Sequence, residues 1–334
     1  MNEQDIYSGF CRVMQSMKIC PRCPVTAAVS GGPDSMALTH LLIRWRLEHG
    51  VTVPLHAVTV DHGLRSGSAA EARQVGDWIK DWPGVQHAIL TWEGDKPQSR
   101  VMEEARNMRR NLLVQYAHKH NIKAIFMAHH KDDQAETFLM RLASGSGLDG
   151  LAAMKAMREF DGIRFVRPLL AFKKADLIAY CAQNHVPYTD DPSNFNAEYL
   201  RPRIRVSVQA LEKEGLTSER LSVTAARLGR ARAALDYYTE CAFQDVFLSH
   251  NNVIITYDFA QYAHLPDEIQ LRLLLRAFDA LLPEREYRPR LEKVEQIAAD
   301  LTASEPFRKR TLGGLVFSVR RRGVEICIEK EKKD

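Results

Sequence analysis

The stretch Val25-Thr-Ala-Ala-Val-Ser-Gly-Gly-Pro-Asp-Ser-Met-Ala-Leu-Thr-His-Leu-Leu42 decides the fold. Its apolar opening predicts a buried strand over residues 25–30, and its apolar-rich continuation predicts a helix over residues 34–49. Glycines between a strand and a helix let backbone N–H groups approach a phosphate, and the helix N-terminus adds about half a positive charge. The stretch therefore predicts a phosphate-binding loop, formed by Ser30, Gly31, Gly32, Pro33, Asp34 and Ser35.

Strands and helices continue to alternate through the first two hundred residues. Further strands are predicted over residues 53–60, 85–92 and 122–128. A capping box at Ser68 and Glu71 predicts a helix that ends at about Trp82, and Ser99 predicts the start of another that ends at about His120. This alternation indicates an α/β fold with a doubly wound parallel sheet, whose ligands bind at the carboxyl ends of the strands. Polar loops at residues 61–65 and 129–133 follow two of these strands, so we expect both to meet the glycine loop at one site.

The pattern changes after residue 205. Apolar residues at steps of three and four predict one long amphipathic helix from residue 218 to about 247. A short strand at 253–257, helices at 266–282 and 288–301, and a hairpin around Gly313-Gly314 follow. We therefore predict domains at residues 1–216 and 248–334, the second a small α+β domain, joined by a bridging helix at 217–247.

Composition and charge narrow the class of protein. The net charge of +4 and the pI of about 8.7 permit a polyanionic partner without requiring one. The sequence contains no run of 18 apolar residues and does not begin like a signal peptide, so a cytoplasmic protein without a membrane partner is expected.

Six cysteines are too scattered for a disulfide scaffold. Among them, Cys20-Pro-Arg-Cys23 alone has metal-ligand spacing. Because a zinc site needs four ligands and no second such pair is present, reduced, inert thiols are favoured over a metal role.

The loop Ser-Gly-Gly-x-Asp-Ser resembles the PP-loop of the N-type ATP pyrophosphatases, which cleave ATP between the α and β phosphates. That chemistry explains why the Gly-Lys-Ser/Thr ending of ordinary P-loops is missing, since the γ-phosphate is not transferred. GMP synthetase, NAD synthetase, argininosuccinate synthetase and tRNA thiolases share this loop. Six further motifs resemble the tRNA(Ile)-lysidine synthetase family: Val60-Asp-His-Gly-Leu-Arg65, residues 128–137 with Arg141-Leu142, Gly145-Ser-Gly-Leu148, Arg167-Pro-Leu-Leu170, Asp190-Asp-Pro-Ser-Asn194 and Tyr199-Leu-Arg-Pro-Arg-Ile-Arg205.

This resemblance implies a two-step ligation on RNA. ATP adenylates the carbonyl oxygen at carbon 2 of the wobble cytidine in a CAU-anticodon tRNA(Ile), and the ε-amine of free L-lysine then displaces AMP. Residues 1–216 would form the PP-loop ATP-binding catalytic domain, and residues 248–334 would form a small tRNA-binding domain. The oligomeric state stays open, with a homodimer as one alternative.

The chemistry assigns expected roles to the polar residues. Asp34 is a good Mg²⁺ ligand and could bridge the metal to the nucleotide, with Asp133 as a second ligand. Asp133 and Glu136 would share one helix face and could hold Mg²⁺, orient the attacking amine or accept its proton. Arg106 and Arg109, one helical turn apart, could steady the α-phosphate, although surface salt-bridging is nearly as good an explanation of Arg109.

Two further groups are expected to contact substrates. One would grip the cytidine or the lysine, and its members are Asp61, His62, Arg65, His129 and His130. The other comprises Arg201, Arg203 and Arg205, which in an extended or turning segment would point to a common side and suit anticodon-loop phosphates. The pair His129-His130 followed by two aspartates also allows a metallohydrolase, which would have no use for the glycine loop.

Two rival functions remain. A tRNA thiolase would use the same adenylating loop with sulfur as nucleophile, and Cys20 and Cys23 would then be its suggestive residues. A nucleotide-responsive RNA-binding protein without turnover is the alternative from a different class.

Overall fold

The structure is a computed structural model that describes residues 3–64, 67–94, 96–97, 101–189, 200–283, 289–303, 306–321 and 323–329. The chain forms two compact units: Met1–Ser146 with Gly150–Arg227, and Gly147–Asp149 with Leu228–Asp334. The boundary between the units falls inside the helix predicted to bridge them. The division at residues 216 and 247 stays a prediction.

Unit 1 contains the alternating elements that the sequence predicts, together with several that it does not. In chain order the elements up to the end of the long helix are α1 Glu3–Ser16, β1 Val25–Ala28, α2 Pro33–Glu48, β2 Leu55–Asp61, α3 Ser68–Ile79, β3 Val85–Thr91, α4 Val101–Lys119, β4 Ala124–Phe126, α5 Lys131–Ala143, α6 Leu148–Leu151, β5 Met157–Phe160, β6 Ile163–Val166, α7 Lys174–Gln183, α8 Leu200–Lys213 and α9 Ser218–Val246.

The sheet of unit 1 has the order β3-β2-β1-β4-β6-β5. All neighbouring pairs are parallel except β5 and β6, which form an antiparallel hairpin at one edge. The predicted doubly wound α/β sheet is therefore confirmed. Strand order reverses beside β1, with β2 and β3 on one side and β4 and β6 on the other, and this reversal is where open α/β sheets bind ligands.

Helix α2 packs against β1, whose sequence is apolar apart from Thr26. All four residues of β1 are buried, and most of α2 is buried against it. Helix α1, which the sequence analysis does not predict, adds Ile6, Phe10 and Met14 to the same core. Their spacing of four residues places them on one helix face.

Helix α3 begins differently from its prediction. Gly67 is the N-cap residue, with a φ of 99°, and no side chain caps the helix. Ser68 instead donates its hydroxyl to Asp61 Oδ1 at 2.6 Å. The predicted capping box at Ser68 is therefore wrong, because a carboxylate from the preceding strand end binds the serine. The predicted cap at Ser99 lies outside the described residues.

Unit 2 is the predicted small α+β unit. Its remaining elements are β7 Phe247–His250, β8 Ile254–Asp258, α10 Phe259–Ala263, α11 Asp267–Leu281, α12 Leu291–Thr302, β9 Arg310–Leu312, β10 Leu315–Arg320 and β11 Gly323–Ile328. The strands form one antiparallel sheet of order β7-β8-β11-β10-β9. Two predicted helices, at 266–282 and 288–301, correspond to α11 and α12 with ends that differ by at most three residues. The predicted turn at Gly313-Gly314 joins β9 and β10.

A buried arginine organises part of unit 2. The side chain of Arg272 in α11 is only 8% exposed and bonds three carboxylates, Asp149 at 2.5 Å, Asp236 at 2.7 Å and Glu268 at 2.8 Å. These carboxylates come from the segment Gly147–Asp149, from α9 and from α11 itself. Arg272 therefore ties that segment to the helices of unit 2.

Among the helices in the described ranges, none combines the length and the apolar character needed to cross a membrane.

Candidate active site

The glycine loop between β1 and α2 is held by its own polar groups. Ser35 Oγ accepts hydrogen bonds from the backbone N–H of Ser30 at 3.1 Å and from its hydroxyl at 3.2 Å. The same Ser35 hydroxyl donates to the carbonyl of Gly32 at 2.9 Å. Pro33 begins α2, so the first turn of that helix points its N–H groups at the loop. The loop has the strand–glycine–helix arrangement that the sequence predicts, and phosphate binding by it stays a prediction.

Gly31 is the residue of this loop that cannot carry a side chain. Its φ is +84°, and an added Cβ would lie 2.8 Å from Val75 Cγ2. Its carbonyl accepts a hydrogen bond from Thr189 N–H at 3.0 Å. The glycine is therefore required by backbone conformation and by close packing together.

His130 joins the glycine loop to the loop after β4. Its Nε2 lies 3.5 Å from Asp34 Oδ2 and 3.5 Å from Asp133 Oδ2. His130 and Asp133 also form a reciprocal cap at the start of α5, in which His130 N–H donates to Asp133 Oδ2 at 3.0 Å and Asp133 N–H donates to His130 Nδ1 at 3.4 Å. The strands β1 and β4 that carry these loops flank the point where the strand order reverses.

The electrostatics of His130 follow from this position. Burial lowers the pKa of the imidazole, but the hydrogen bond with Asp34 and the charges of Asp133, Asp34 and Asp132 outweigh it. The net pKa of His130 is raised, because its protonated form is surrounded by carboxylates. Its second nitrogen, Nδ1, lies 3.6 Å from Asp132 Oδ2.

Glu136 lies one turn further along α5 and pairs with an arginine from α8. Arg205 Nε donates to Glu136 Oε1 at 2.5 Å, and the Glu136 side chain is only 5% exposed. Burial lowers the pKa of Arg205, but Glu136, Asp133 and Asp34 raise it more. The structure thus brings five predicted site residues together, and we call them the acidic centre: Asp34, His130, Asp133, Glu136 and Arg205.

The arginine run at 201–205 does not adopt the predicted extended form. Arg201, Arg203 and Arg205 all lie in α8, where alternate residues point in different directions. Arg203 is exposed, whereas Arg205 is partly buried against Glu136, and the side chain of Arg201 lies outside the described residues. The prediction that the three point to a common side is therefore wrong. Leu200, Ile204, Val208 and Leu211 recur at steps of four and three, which is the signal of this helix.

Asp61 at the end of β2 shapes its own loop. The carboxylate is buried, and its Oδ1 accepts from Gly63 N–H at 3.0 Å and from Ser68 Oγ. The neighbouring His62 packs edge-on against Trp92 with ring centroids 6.4 Å apart. Burial lowers the pKa of His62, and the charge of Arg109 lowers it further. Arg65 lies outside the described residues.

Four arginines interact electrostatically with one another, and two of them, Arg158 and Arg167, are left out of the site by sequence reasoning. Burial lowers the pKa of Arg109, and Arg106 lowers it further. Arg167, which follows β6, has its pKa lowered by burial and then by the charges of Arg158 and Arg106. We call Arg106, Arg109, Arg158 and Arg167 the basic zone. The motif Arg167-Pro-Leu-Leu170 is the sequence signal that could have placed Arg167 here.

The remaining candidates are distributed as follows. His129 is partly buried beside His130. Within the described ranges, no three His, Cys, Asp or Glu side chains form a group able to hold a metal ion. Cys20 and Cys23 precede β1, at the end of that strand opposite to the glycine loop. The arrangement suits phosphate binding beside a set of carboxylates, and the two cysteines do not belong to it.

Comparison with known proteins identifies similar chains. Residues 11–212 match the PP-loop domain family. The chain is 40% identical over 313 residues to a tRNA(Ile)-lysidine synthase of Bradyrhizobium diazoefficiens, covering 87% of this chain and 86% of the relative. It is 36% identical to a tRNA(Ile)-lysidine synthase of Wolbachia pipientis, covering 92% of this chain and 70% of the relative. Its fold is similar to that of a U34-tRNA thiolase from Methanococcus maripaludis, with a TM-score of 0.56, 17% identity, and coverage of 67% of this chain and 79% of the other.

Proposed function

This chain belongs to the tRNA(Ile)-lysidine synthase family, and we propose that it ligates free L-lysine to carbon 2 of the wobble cytidine in CAU-anticodon tRNA(Ile). It is an ATP-using ligase that forms lysidine on tRNA(Ile). The reaction releases AMP and pyrophosphate through an adenylated cytidine. Two steps are needed because a ring carbonyl oxygen is a very poor leaving group, whereas AMP leaves readily.

The glycine loop holds the triphosphate. Ser30, Gly31 and Gly32 present backbone and hydroxyl donors, and the N-terminus of α2 adds its partial positive charge. The α-phosphate then lies toward the carboxyl edge of β4, where the acidic centre is placed. The basic zone, Arg106 and Arg109 in particular, stabilises negative charge that develops on the α-phosphate during adenylation.

The acidic centre handles the amine in the second step. Lysine enters as an ammonium, which must lose a proton before nitrogen can attack. Asp133 and Glu136 lie one turn apart on α5, and we assign to them the orientation of that ammonium and the acceptance of its proton. His130 fixes Asp34 and Asp133 relative to each other, and Arg205 fixes Glu136, so these two act as positioning residues.

A Mg²⁺ ion fits the residues at the glycine loop. Asp34 Oδ1 is buried and has no hydrogen-bond partner within the part of the chain that the structure describes. Asp34 would hold the ion together with Asp133 and the triphosphate, since Mg²⁺ is usually bound by only one or two protein carboxylates. When bound, the ion would neutralise charge on the phosphates. Neither Asp34 nor Asp133 depends on it for its place in the fold.

The RNA is held by basic residues outside the acidic centre. Arg203 is exposed on α8, and we assign it to the phosphates of the anticodon loop. Asp61 and His62 line the approach to the nucleobase beside the basic zone. Residues 248–334 would add contacts to the tRNA backbone, and the cytoplasm is the expected compartment.

One observation carries this proposal: Asp34 of the glycine loop and Asp133 of α5 both lie 3.5 Å from His130 Nε2, so nucleotide and amine chemistry share one centre. The test is a reaction of purified protein with ATP, Mg²⁺, labelled lysine and CAU-anticodon tRNA(Ile). We expect label in the RNA and AMP as the nucleotide product, both dependent on the wobble cytidine. ADP as the product, or labelling of a tRNA whose wobble base is replaced, would refute the proposal.

Variants separate the proposal from its rivals. Asp34→Asn should abolish AMP formation, while Asp77→Asn, an exposed carboxylate on α3, should not alter it. The double variant Cys20→Ser/Cys23→Ser should keep full activity, whereas a thiolase that used these thiols would lose it. Release of AMP that depends on tRNA excludes an RNA-binding protein without turnover.

A further inference from the structure

Cys20 and Cys23 lie at the two ends of a tight turn between α1 and β1. Both side chains are exposed, and Cys23 N–H donates to Cys20 O at 3.4 Å, with Pro21 and Arg22 forming the turn. The first and fourth Cα atoms of such a turn lie within about 7 Å of each other, and a disulfide spans about 4.4–6.8 Å. The backbone is therefore already placed for a bond between the two sulfurs.

The two thiols are chemically unequal. The hydrogen bond from the Cys23 thiol, followed by the backbone N–H of Arg22, lowers the pKa of Cys20. The same hydrogen bond with Cys20, followed by burial, raises the pKa of Cys23. An exposed thiolate beside a second thiol is the arrangement in which the first attacks a disulfide and the second resolves it.

Arg46 fixes the turn to the body of unit 1. Its side chain is buried, and its guanidinium donates to the carbonyls of Pro21 at 2.8 Å, Cys23 at 2.9 Å and Val53 at 2.5 Å. Burial lowers the pKa of Arg46, and Cys23 and Cys20 counteract this, so negative charge on the thiols is favourable beside it. Arg46 thus holds the main-chain oxygens of Pro21 and Cys23 within the turn, and these bonds do not depend on the state of the sulfurs.

We infer that Cys20 and Cys23 form a reversible disulfide and constitute a redox modification site, with a low-molecular-weight disulfide as oxidant. The Cys20 thiolate attacks one sulfur of the small disulfide, forms a mixed disulfide and releases one small thiolate. The Cys23 thiol then gives up its proton and attacks the Cys20 sulfur, which releases the second small thiolate. Two protein thiols are oxidised, and one small disulfide is reduced to two thiols.

The other cysteines do not share these features. Cys181 is buried, and burial raises the pKa of its thiol to about 12. Cys11 and Cys327 are partly buried. Cys241 is exposed on α9 but has no cysteine near it in the sequence, which makes it a matched control. The inference does not depend on the proposed function, because the turn lies at the opposite end of β1 from the glycine loop.

The test exposes the reduced full-length protein to buffers of increasing oxidised-to-reduced glutathione ratio, with a chelator present to remove adventitious metal. After free thiols are trapped, mass spectrometry of the intact chain and of its peptides gives the state of each cysteine. We expect loss of two hydrogen atoms, a peptide that links Cys20 to Cys23, and full reversal by a small dithiol. A wild-type chain that keeps both thiols free, or that accumulates glutathione on Cys20 without closing the bond, overturns the inference.

Single variants test the order of attack. Cys23→Ser keeps a hydroxyl donor beside Cys20 and should accumulate a stable glutathione adduct on Cys20. Cys20→Ser should form the equivalent adduct on Cys23 at least tenfold more slowly, and Cys241→Ser should close the bond at the wild-type rate. Equal rates for the two single variants, or loss of closure in Cys241→Ser, would contradict the assigned roles.

Discussion

Substituting Arg205 by methionine removes the guanidinium that pairs with Glu136, a buried carboxylate of unit 1. The Glu136 side chain is 5% exposed and receives the Nε donor of Arg205 at 2.5 Å. Removing one partner of a buried ion pair costs about 3–5 kcal/mol. Because the Arg205 side chain is 34% exposed, water screens part of the interaction, and we expect a loss of about 2–3 kcal/mol in the free energy of unfolding.

A second variant separates the loss of charge pairing from lost packing. The double variant Arg205→Met/Glu136→Gln should recover most of the loss, because a neutral amide at position 136 carries no charge that needs the arginine. It should not restore stability if the loss came from packing alone.

Tryptophan fluorescence during urea unfolding gives the measurement. All four tryptophans, Trp45, Trp78, Trp82 and Trp92, lie in unit 1, so the signal reports on the unit that contains the pair. A loss below about 0.5 kcal/mol, the range of ordinary surface substitutions, would refute the reasoning. So would a double variant as unstable as Arg205→Met alone.

Three further predictions concern other features. Gly31→Ala should lower the free energy of unfolding by about 1–3 kcal/mol and weaken ATP binding measured by equilibrium dialysis, because the φ of Gly31 is +84° and the added Cβ would be crowded. Gly84→Ala is the control: its φ is +66° but its surroundings are open, and ATP binding should not change. The raised pKa of His130 contributes stability that is fully present below about pH 6.5 and is lost as the pH rises through the folded-state pKa. In urea titrations, His130→Asn should therefore lose more stability relative to the wild type at low pH than at high pH. Arg272→Met should increase proteolysis within residues 228–329, mapped by mass spectrometry, whereas Arg276→Met, whose side chain is 37% exposed, should cleave like the wild type.

Features that depend on neighbouring residues, such as strands, helices and the glycine loop, are mostly predicted correctly from the sequence. The strand, glycine loop and helix around Gly31 are specified by neighbouring residues, since apolar runs, φ preference and helix capping act over a few positions. The strand ends that carry Asp61 and His130 follow from the same periodicity. Their convergence follows from the rule that parallel strands end at one edge. The meeting of the glycine loop with the loop after β4 therefore needed no knowledge of tertiary contacts, and the approach of the 61–65 loop to them stays a prediction.

What the sequence could not give are contacts between distant positions. Arg205 and Glu136 are separated by 69 residues, and the alternating arginines suggested an extended segment although the apolar residues of α8 have a helical period. The sequence around Ser68 predicts a helix cap, because the tertiary partner of Ser68, Asp61, lies outside that local window. The β5–β6 hairpin is four residues a side, which is too short for periodicity to distinguish from a loop.

The internal bonds of the glycine loop have a consequence for nucleotide affinity. Ser35 holds Ser30 and Gly32, and Thr189 holds the carbonyl of Gly31, so hydrogen bonds within the protein fix the backbone of the loop. A preorganised loop gives up little conformational entropy on binding, because that entropy was lost when the chain folded. Most of the favourable free energy of the phosphate contacts then appears as affinity instead of being consumed in ordering the loop.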